Sequence, residues 1–294
     1  MKKLIFLSAP RGSGKSSKIQ CIYDALDIKS ESDVFNYDND ELTTSDKIYK
    51  KNLKKIISEF GGEEKIKKII DVNNIDKLDE LSKKMDANSQ ETSLRLQTVE
   101  QKSLHLINTI NKGRQNIIVH TPPWSGVDIE ICGRSKYDKH KYIKVARENN
   151  YKFILVYIFS DLETTKKRVV SRFLENIKSE TARSPHLDKK STVANDYWFN
   201  NKKLADVVLS KCIDRLIIFN NNKNTKKDEC KLLFDTENGN VNDIKNLPYK
   251  IQNAIKHIYG GKIIKKKSKK KSKKSKKKSK KLKKKSKKKS KKKL

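Results

Sequence analysis

A lysine and a serine stand directly after a glycine-rich turn near the start of the chain, at Lys15 and Ser16. In the pattern G-x-x-x-x-G-K-[ST], the lysine reaches the β- and γ-phosphates of a nucleoside triphosphate and the hydroxyl binds Mg²⁺. Gly14 completes this pattern, and Ala9 replaces its first glycine with another small residue that still permits a tight turn. The spacing predicts a site for ATP and Mg²⁺ formed by Ala9, Pro10, Arg11, Gly12, Ser13, Gly14, Lys15, Ser16 and Ser17.

The residues on either side of this loop are of the kind that a phosphate-binding loop needs. The apolar run Leu4–Leu7 predicts a strand that leads into the loop, and the segment from Lys15 onwards favours a helix. Gly12 and Gly14 free the backbone so that successive N–H groups can surround a phosphate, and the positive end of the helix faces the same anion. A glycine–serine turn with a chance lysine is the alternative. The preceding strand and the spacing favour the phosphate-binding loop.

An acidic cluster follows the second predicted strand, which covers Asp33–Tyr37. Parallel α/β sheets bind their ligands at the carboxyl ends of the strands, so Asp38 and Asp40 are expected beside the phosphate-binding loop. A carboxylate there can hydrogen-bond a water on the metal or take the proton of an attacking hydroxyl. Capping of the next helix is the alternative for either residue. The position at the strand end favours a functional role for Asp40.

The third predicted strand starts at Asn116, is continuously apolar and ends in His120 and Thr121. Enzymes with a phosphate-binding loop often carry an acid for Mg²⁺ at this point, and this chain has none there. A histidine at a strand end is more often a structural hydrogen-bonding residue than a catalytic base, and both roles stay open for His120. Trp124 in the next loop either stacks on a substrate ring or packs against the protein.

Arginines are concentrated in one later segment. The predicted helix Asp161–Lys178 carries Arg168 and Arg172, which share a helical face because they are four residues apart. Arg183 follows in a loop that contains Pro185. Guanidinium groups that close over a γ-phosphate offset the charge on its oxygens in the transition state. The pattern predicts a phosphoryl-transfer lid, with a solvated basic face as the alternative.

Polar residues also follow the fifth predicted strand, Asp214–Phe219. Asn220 and Asn221 would line an adenine pocket or form a simple turn, because asparagine favours turns. The run that starts at Lys231 and the turn residues Asn238–Asn240 then predict a short hairpin.

Five predicted strands alternate with helices, which predicts an α/β fold with a parallel five-stranded sheet and helices on both faces. The strands lie near residues 4–7, 33–37, 116–120, 152–159 and 214–219. Helices are expected over 16–26, 92–112, 136–149, 161–178, 193–212 and 247–259, and another ends at Gly61-Gly62. Residues 63–90 are charge-rich and read as a helical insertion. The predicted domain therefore covers residues 1–260.

Lysine dominates the composition. The 294 residues carry a formal net charge of +35, and residues 265–294 alone contain 22 lysines and no acid, which leaves +13 for the remainder. The tail, residues 261–294, is too polar to form a core and is expected to be disordered. It would bind nucleic acid or an anionic surface through counterion release. A purely solubilising tail is the alternative.

The four cysteines, Cys21, Cys132, Cys212 and Cys230, have no metal-ligand or C-x-x-C spacing. No secretory signal is evident, so reduced thiols in an intracellular protein are expected. A location in the cytoplasm, with nucleic acid, or in a virion or host cell of a large DNA virus fits this composition. No apolar run approaches the length of a transmembrane segment.

With these features placed, residues 1–240 resemble the zeta-toxin-like P-loop kinases. The loop of residues 10–16 looks like the nucleotide loop of that family, and Asp38-Asn39-Asp40 is similar to its acidic motif. The second aspartate of that motif is the catalytic base, so the resemblance implies this role for Asp40. It also implies γ-phosphate contacts for Arg168 or Arg172 and for Arg183.

Two further segments carry the resemblance, and two depart from it. Residues 219–221 are similar to the Asp-Asn-Ser that follows the last core strand of the family, and residues 231–239 to the hairpin behind it. The third strand of the family ends in a glutamate that engages a sugar-nucleotide substrate, whereas this chain has His120. A His-Pro pair that often follows the acidic motif is absent, since Thr43-Thr44-Ser45 occupies that region.

Three functions are compatible with this sequence. The first is an ATP- and Mg²⁺-dependent kinase that phosphorylates a hydroxyl of a small molecule or nucleotide-like acceptor. The second is a polynucleotide or nucleoside 5′-hydroxyl kinase, held on its substrate by the basic tail. The third is a non-catalytic nucleotide-binding adaptor that docks on nucleic acid or virion components.

Overall fold

The computed structural model describes residues 1–120, 141–184, 193–222, 229–237, 240–241 and 244–258, with only the backbone of 39, 40, 240 and 241. The predicted tail, Trp124, and the loop beyond Ser184 up to residue 192 lie outside these residues. Within them, no helix is long and apolar enough to cross a membrane.

Within the described part of the chain, seven strands form one sheet in the order β2-β3-β1-β4-β5-β6-β7. They are β1 Lys3–Ser8, β2 Val34–Asp38, β3 Asn116–His120, β4 Lys152–Phe159, β5 Arg215–Asn220, β6 Leu232–Asp235 and β7 Asn240–Val241. The first five in space pair in parallel, and β6 and β7 continue the sheet in antiparallel pairing. The prediction of a five-stranded sheet is therefore two strands short. The predicted hairpin joins the sheet because the chain reverses after β5 and returns along its free edge.

Helices connect the parallel strands, as an α/β fold requires. They are α1 Ile19–Ala25, α2 Asn39–Ser45, α3 Lys47–Glu59, α4 Glu63–Asp71, α5 Ile75–Arg95, α6 Thr98–Asn111, α7 Lys141–Glu148, α8 Leu162–Lys178, α9 Val193–Ser210 and α10 249–258.

The helix predicted over 92–112 is two helices. The helix is interrupted at Gln97, whose φ of 48° lies in the left-handed region, and α6 starts at the next residue. Apolar residues continue across the break, but Leu94 and Val99 are exposed. The spacing of the apolar residues predicts one continuous helix, because a single residue with positive φ does not change that spacing.

Both faces of the sheet are covered. On one face, strand residues such as Phe6, Val119 and Leu155 pack with α6, α7, α9 and α10. On the other face, alternate residues such as Ile5 and Val156 pack with α1. This alternation follows from the period of two in a strand, and burial on both faces explains the continuous apolar runs.

A third cluster joins α3, α4 and α5 to α8 and to Ala182. Tyr49, Leu53 and Ile66 are completely buried within it. The charge-rich residues 63–90 therefore form helices that support α8, the helix that carries Arg168 and Arg172.

The expectation of reduced thiols is wrong for Cys21, Cys212 and Cys230, which are all disulfide-bonded. Cys21 and Cys230 are joined to each other across a sequence separation of 209 residues. The bond links α1 to the segment that leads into β6. The spacing of the cysteines in the sequence does not indicate this bond, because the pairing of β6 with β5 brings Cys230 close to α1.

Candidate functional site

The glycine-rich loop turns sharply between β1 and the first helical turn. Gly12 and Gly14 have φ values of 74° and 77°, which L-residues with side chains rarely adopt. The Ser13 N–H donates to the carbonyl of Pro10 at 3.1 Å, and the Ser17 hydroxyl donates to the carbonyl of Gly14 at 2.8 Å. The predicted helix begins as a 3₁₀ turn, Ser16–Lys18, before α1. The sequence motif thus adopts a strand–loop–helix conformation.

Helix α8 packs directly on this loop. A Cβ atom on Gly12 would lie 2.6 Å from the carbonyl oxygen of Thr165 and 2.9 Å from Cγ2 of Val169. These separations are too short for any side chain, so the absence of a Cβ allows the contact. Glycine is required at position 12 both for its backbone conformation and for the approach of α8.

Asn221 braces the same loop from the end of β5. Its side-chain amide donates to the carbonyl oxygen of Ser13 at 2.7 Å, and the residue is buried. A Cβ atom on Gly14 would lie 2.3 Å from this amide nitrogen. Asn220 accepts a hydrogen bond from the Asn222 N–H through Oδ1. Of the two predicted asparagines, Asn221 contacts the loop, and a contact with adenine stays a prediction.

Arg168 lies beside the loop. Its Nη1 atom donates to the carbonyl oxygen of Asn221 at 2.8 Å and lies 3.6 Å from where a Cβ of Gly14 would be. Burial lowers the pKa of this guanidinium from its ordinary value, against the effect of Asp161, and arginine remains charged at neutral pH. The structure thus brings Arg168 to Gly14, whereas Arg172 is exposed one turn further along α8.

The segment that carries Arg183 also reaches the loop. The Arg11 guanidinium donates through Nη1 to the carbonyl oxygen of Ser184 at 3.2 Å, and Arg183 is half-buried. Helix α3 also holds this segment, because the Tyr49 hydroxyl donates to the carbonyl oxygen of Ala182 at 2.7 Å. Arg183 therefore lies between two attached residues, Ala182 and Ser184.

Asp196, which the sequence reasoning missed, also contacts the loop. It lies in the first turn of α9 and accepts, through Oδ2, a hydrogen bond of 3.4 Å from the Arg11 N–H. The contact joins residues 185 positions apart, and no pattern in the sequence indicates it.

Asp38 and His120 end two neighbouring strands. Their Cα atoms are partners in the β2–β3 pairing, and Oδ2 of Asp38 lies 3.3 Å from Nδ1 of His120. The His120 side chain is only 9% exposed. Asp40 follows in α2, where only its backbone is described. Both strand ends were predicted, but the pairing of these two side chains was not.

Lys15 and Ser16 close the loop at the start of the 3₁₀ turn. Lys15 is half-buried and Ser16 is exposed. Among the described residues, no group of three or more histidine, cysteine, aspartate or glutamate side chains is arranged to hold a metal ion. The contact of Ser16 with Mg²⁺ stays a prediction.

No family model and no curated protein matches this chain. One similar solved structure comes from a study of the PezAT chromosomal toxin–antitoxin system of the human pathogen Streptococcus pneumoniae. The sequences are 11% identical, the match covers 89% of this chain and 79% of that chain, and the TM-score is 0.44. A likeness of this size carries no argument about function.

Proposed function

We propose that this protein is an ATP- and Mg²⁺-dependent phosphotransferase that phosphorylates a hydroxyl group. The observation that carries the proposal is the position of Arg168, whose guanidinium lies beside Gly14 in a loop with the spacing of a triphosphate site. A fixed positive charge at that point suits the developing negative charge on a transferring phosphoryl group. The proposed kinase domain covers residues 1–260.

The loop residues Ala9–Ser17 would hold the nucleotide. Lys15 would contact the β- and γ-phosphates, and Ser16 would supply a hydroxyl ligand to Mg²⁺. The ion would neutralise phosphate charge when bound. Two glycines with positive φ at positions 12 and 14 support this assignment, because they turn the backbone as a phosphate cradle requires. Asn220 and Asn221 would lie on the adenine side.

The arginines would act on the γ-phosphate. Arg168 is the primary candidate because it already lies beside the loop, with Arg183 approaching on the segment bound to Arg11. Arg172 is proposed as an outer contact that depends on closure. On the acidic side, Asp40 would hydrogen-bond a water on the metal or accept the proton of the attacking hydroxyl.

The test combines nucleotide binding with phosphate transfer. The full chain is incubated with γ-labelled Mg-ATP and a panel of sugar nucleotides, nucleosides and 5′-hydroxyl oligonucleotides, and label transfer is measured. Lys15→Met is expected to abolish both binding and transfer. Arg168→Ala is expected to retain ATP binding and to lose transfer by about 100-fold or more, with Lys167→Ala, an exposed neighbour on α8, as the matched control.

Two outcomes would contradict the proposal. Transfer of no label by the wild-type chain to any acceptor, with ATP binding retained, would favour the non-catalytic adaptor. Equal loss in Lys167→Ala and Arg168→Ala would show that general basicity of α8, rather than the position of Arg168, matters.

The basic tail directs the choice of acceptor. We further propose that its 22 lysines tether the protein to nucleic acid or another polyanion, which would favour the 5′-hydroxyl kinase among the possible activities. Deletion of residues 265–294 is expected to flatten the salt dependence of oligonucleotide binding. An unchanged slope of log affinity against log salt concentration would rule out the tether.

A further inference from the structure

The Asp38–His120 pair is the most unusual polar feature at the carboxyl edge of the sheet. His120 lies between β2 and β1, with Asp38 as its register partner on one side and Leu7 on the other. Leu7 and Ser8 are the last residues before the loop begins. The imidazole therefore stands one strand away from the strand that delivers the glycine-rich loop.

The carboxylate decides which nitrogen of the imidazole carries the hydrogen. Asp38 Oδ2 can only accept, and it lies 3.3 Å from Nδ1. Of the two neutral tautomers, this contact favours the one with its hydrogen on Nδ1, which leaves a lone pair on Nε2. The hydrogen assignment follows from the contact, as it must for any histidine without observed hydrogens.

Nε2 of His120 is buried and has no hydrogen-bond partner among the residues that the structure describes. Buried polar atoms are nearly always satisfied, so an exception calls for an explanation such as a catalytic role. The atom is an acceptor whose ring is held from the other side. Because solvent does not reach this atom, water does not compete for its lone pair.

We propose that His120 is the general base for the transfer reaction and that Asp38 is its positioning residue. This inference rests on the proposed function and deepens it. It assigns the proton to His120 and leaves Asp40 the other role open to it, the contact with a metal-bound water.

The acceptor oxygen forms a bond to the γ-phosphorus of ATP, and its O–H bond breaks as the proton moves to the lone pair on Nε2. The bond between the γ-phosphorus and the bridging oxygen breaks, and its electron pair leaves with ADP. The Asp38 carboxylate then stabilises the imidazolium, which later releases its proton to solvent.

The first experiment measures the tautomer without any activity assay. Nitrogen NMR of the ¹⁵N-histidine-labelled full chain at neutral pH is expected to show His120 with its hydrogen on Nδ1, assigned by the signal lost in His120→Asn. Asp38→Ala is expected to mix the two tautomers. A wild-type His120 with its hydrogen on Nε2 would overturn the proposal, whatever the activity.

The second experiment measures transfer. His120→Asn keeps a donor toward Asp38 but lacks the Nε2 acceptor, so turnover should fall about 100-fold or more while Mg-ATP affinity stays unchanged. His257→Asn, on an exposed face of α10, is the matched control. Asp38→Asn should lower turnover less, and free imidazole should restore part of the rate in His120→Ala. His120→Gln serves as a second variant if His120→Asn does not fold.

The outcomes separate the two proposals. Transfer by the wild-type chain at a rate that His120→Asn and His120→Gln leave unchanged would overturn the base assignment alone. Loss of transfer in Asp40→Ala but not in the His120 variants would do the same and would return the proton to Asp40. Absence of transfer by the wild-type chain would instead contradict the proposed function.

Discussion

The side-chain amide of Asn221 donates a 2.7 Å hydrogen bond to the carbonyl oxygen of Ser13, so the end of β5 is tied directly to the glycine-rich loop. The carbonyl of the same asparagine accepts the Arg168 guanidinium. One residue thus fixes both the loop and the arginine proposed to act on the γ-phosphate.

Removal of the Asn221 side chain is expected to weaken nucleotide binding. Asn221→Ala leaves the Ser13 carbonyl without this donor and should destabilise the protein by about 1 kcal/mol. Asn221→Asp keeps the size but replaces the donor with a negative charge, so it should lower Mg-ATP affinity further. Titration calorimetry measures the Mg-ATP affinity of both Asn221 variants, with the exposed Asn111→Ala as control. Equal ATP affinity in all four proteins would show that the brace does not matter for binding.

Acid should remove the contribution of Asp46 to stability. Its carboxylate accepts the Tyr49 N–H at the start of α3 and contacts Arg95, and these contacts hold its pKa below the usual 3.8. Because the pKa is lower in the folded state, the stabilisation is complete above about pH 4 and is lost as the pH falls through the folded value.

Asp46→Ala is therefore expected to cost about 1 kcal/mol at neutral pH and almost nothing in strong acid. Asp46→Asn should cost less, because asparagine also caps helices. Thermal unfolding followed by circular dichroism across this pH range provides the test. A cost of Asp46→Ala that is the same at neutral and acidic pH would contradict the explanation.

The buried pair Arg215–Asp235 should be sensitive to the loss of either member. Arg215 donates through Nε and Nη2 to the carboxylate of Asp235, and through Nη2 also to the carbonyl of Ala25, where α1 ends. Asp235 is completely buried. Arg215→Ala would remove the guanidinium that neutralises the buried Asp235 carboxylate and should cost about 3–5 kcal/mol.

Replacement of both partners with apolar residues separates charge from packing. Arg215→Met combined with Asp235→Leu should be less destabilised than Arg215→Ala, because both buried charges are removed together. Urea unfolding of the wild-type chain, Arg215→Ala, Arg215→Met, Asp235→Leu and the double variant gives the comparison. A double variant as unstable as the sum of its single variants would indicate that the two residues act independently.

The disulfide between Cys21 and Cys230 should stabilise the fold. The bond closes a loop of about 200 residues, and bonds of this kind contribute about 2–4 kcal/mol by restricting the unfolded chain. Cys21→Ala combined with Cys230→Ala should therefore lower the melting temperature, measured without reductant. The exposed Ser45→Ala serves as a control for handling.

The bond itself can be tested separately. Without reductant, a thiol-reactive reagent of high mass should leave Cys21 and Cys230 unlabelled in the wild-type chain, and label Cys230 in Cys21→Ala. Labelling of both cysteines in the unreduced wild-type protein would contradict the pairing.

Much of the sheet could be predicted from local patterns. The five parallel strands lie where the apolar runs predicted them, and α8 falls within the predicted helix Asp161–Lys178. The break at Gln97 could not be predicted, because its backbone conformation leaves no trace in the hydrophobic period. Local patterns predict individual helices and strands because each of them needs its own buried face.

Contacts between elements were largely beyond such reasoning. The sequence does not distinguish Arg168 from Arg172, whereas the packing of α8 on Gly12 places Arg168 beside the loop. The Asp38–His120 contact needed the register between β2 and β3, although both residues were visible as strand ends. Side chains distant in sequence meet only through tertiary pairing, which a single sequence does not encode locally.

Strand β1 has an unusual place in the order of synthesis. Its two neighbours in the sheet begin at Asn116 and Lys152, so β1 is synthesised long before either of the strands that it pairs with. During that interval its apolar side chains lack their partners and are exposed to aggregation or to chaperones. A nascent chain that ends before residue 152 therefore contains the whole phosphate-binding sequence without the sheet that shapes it.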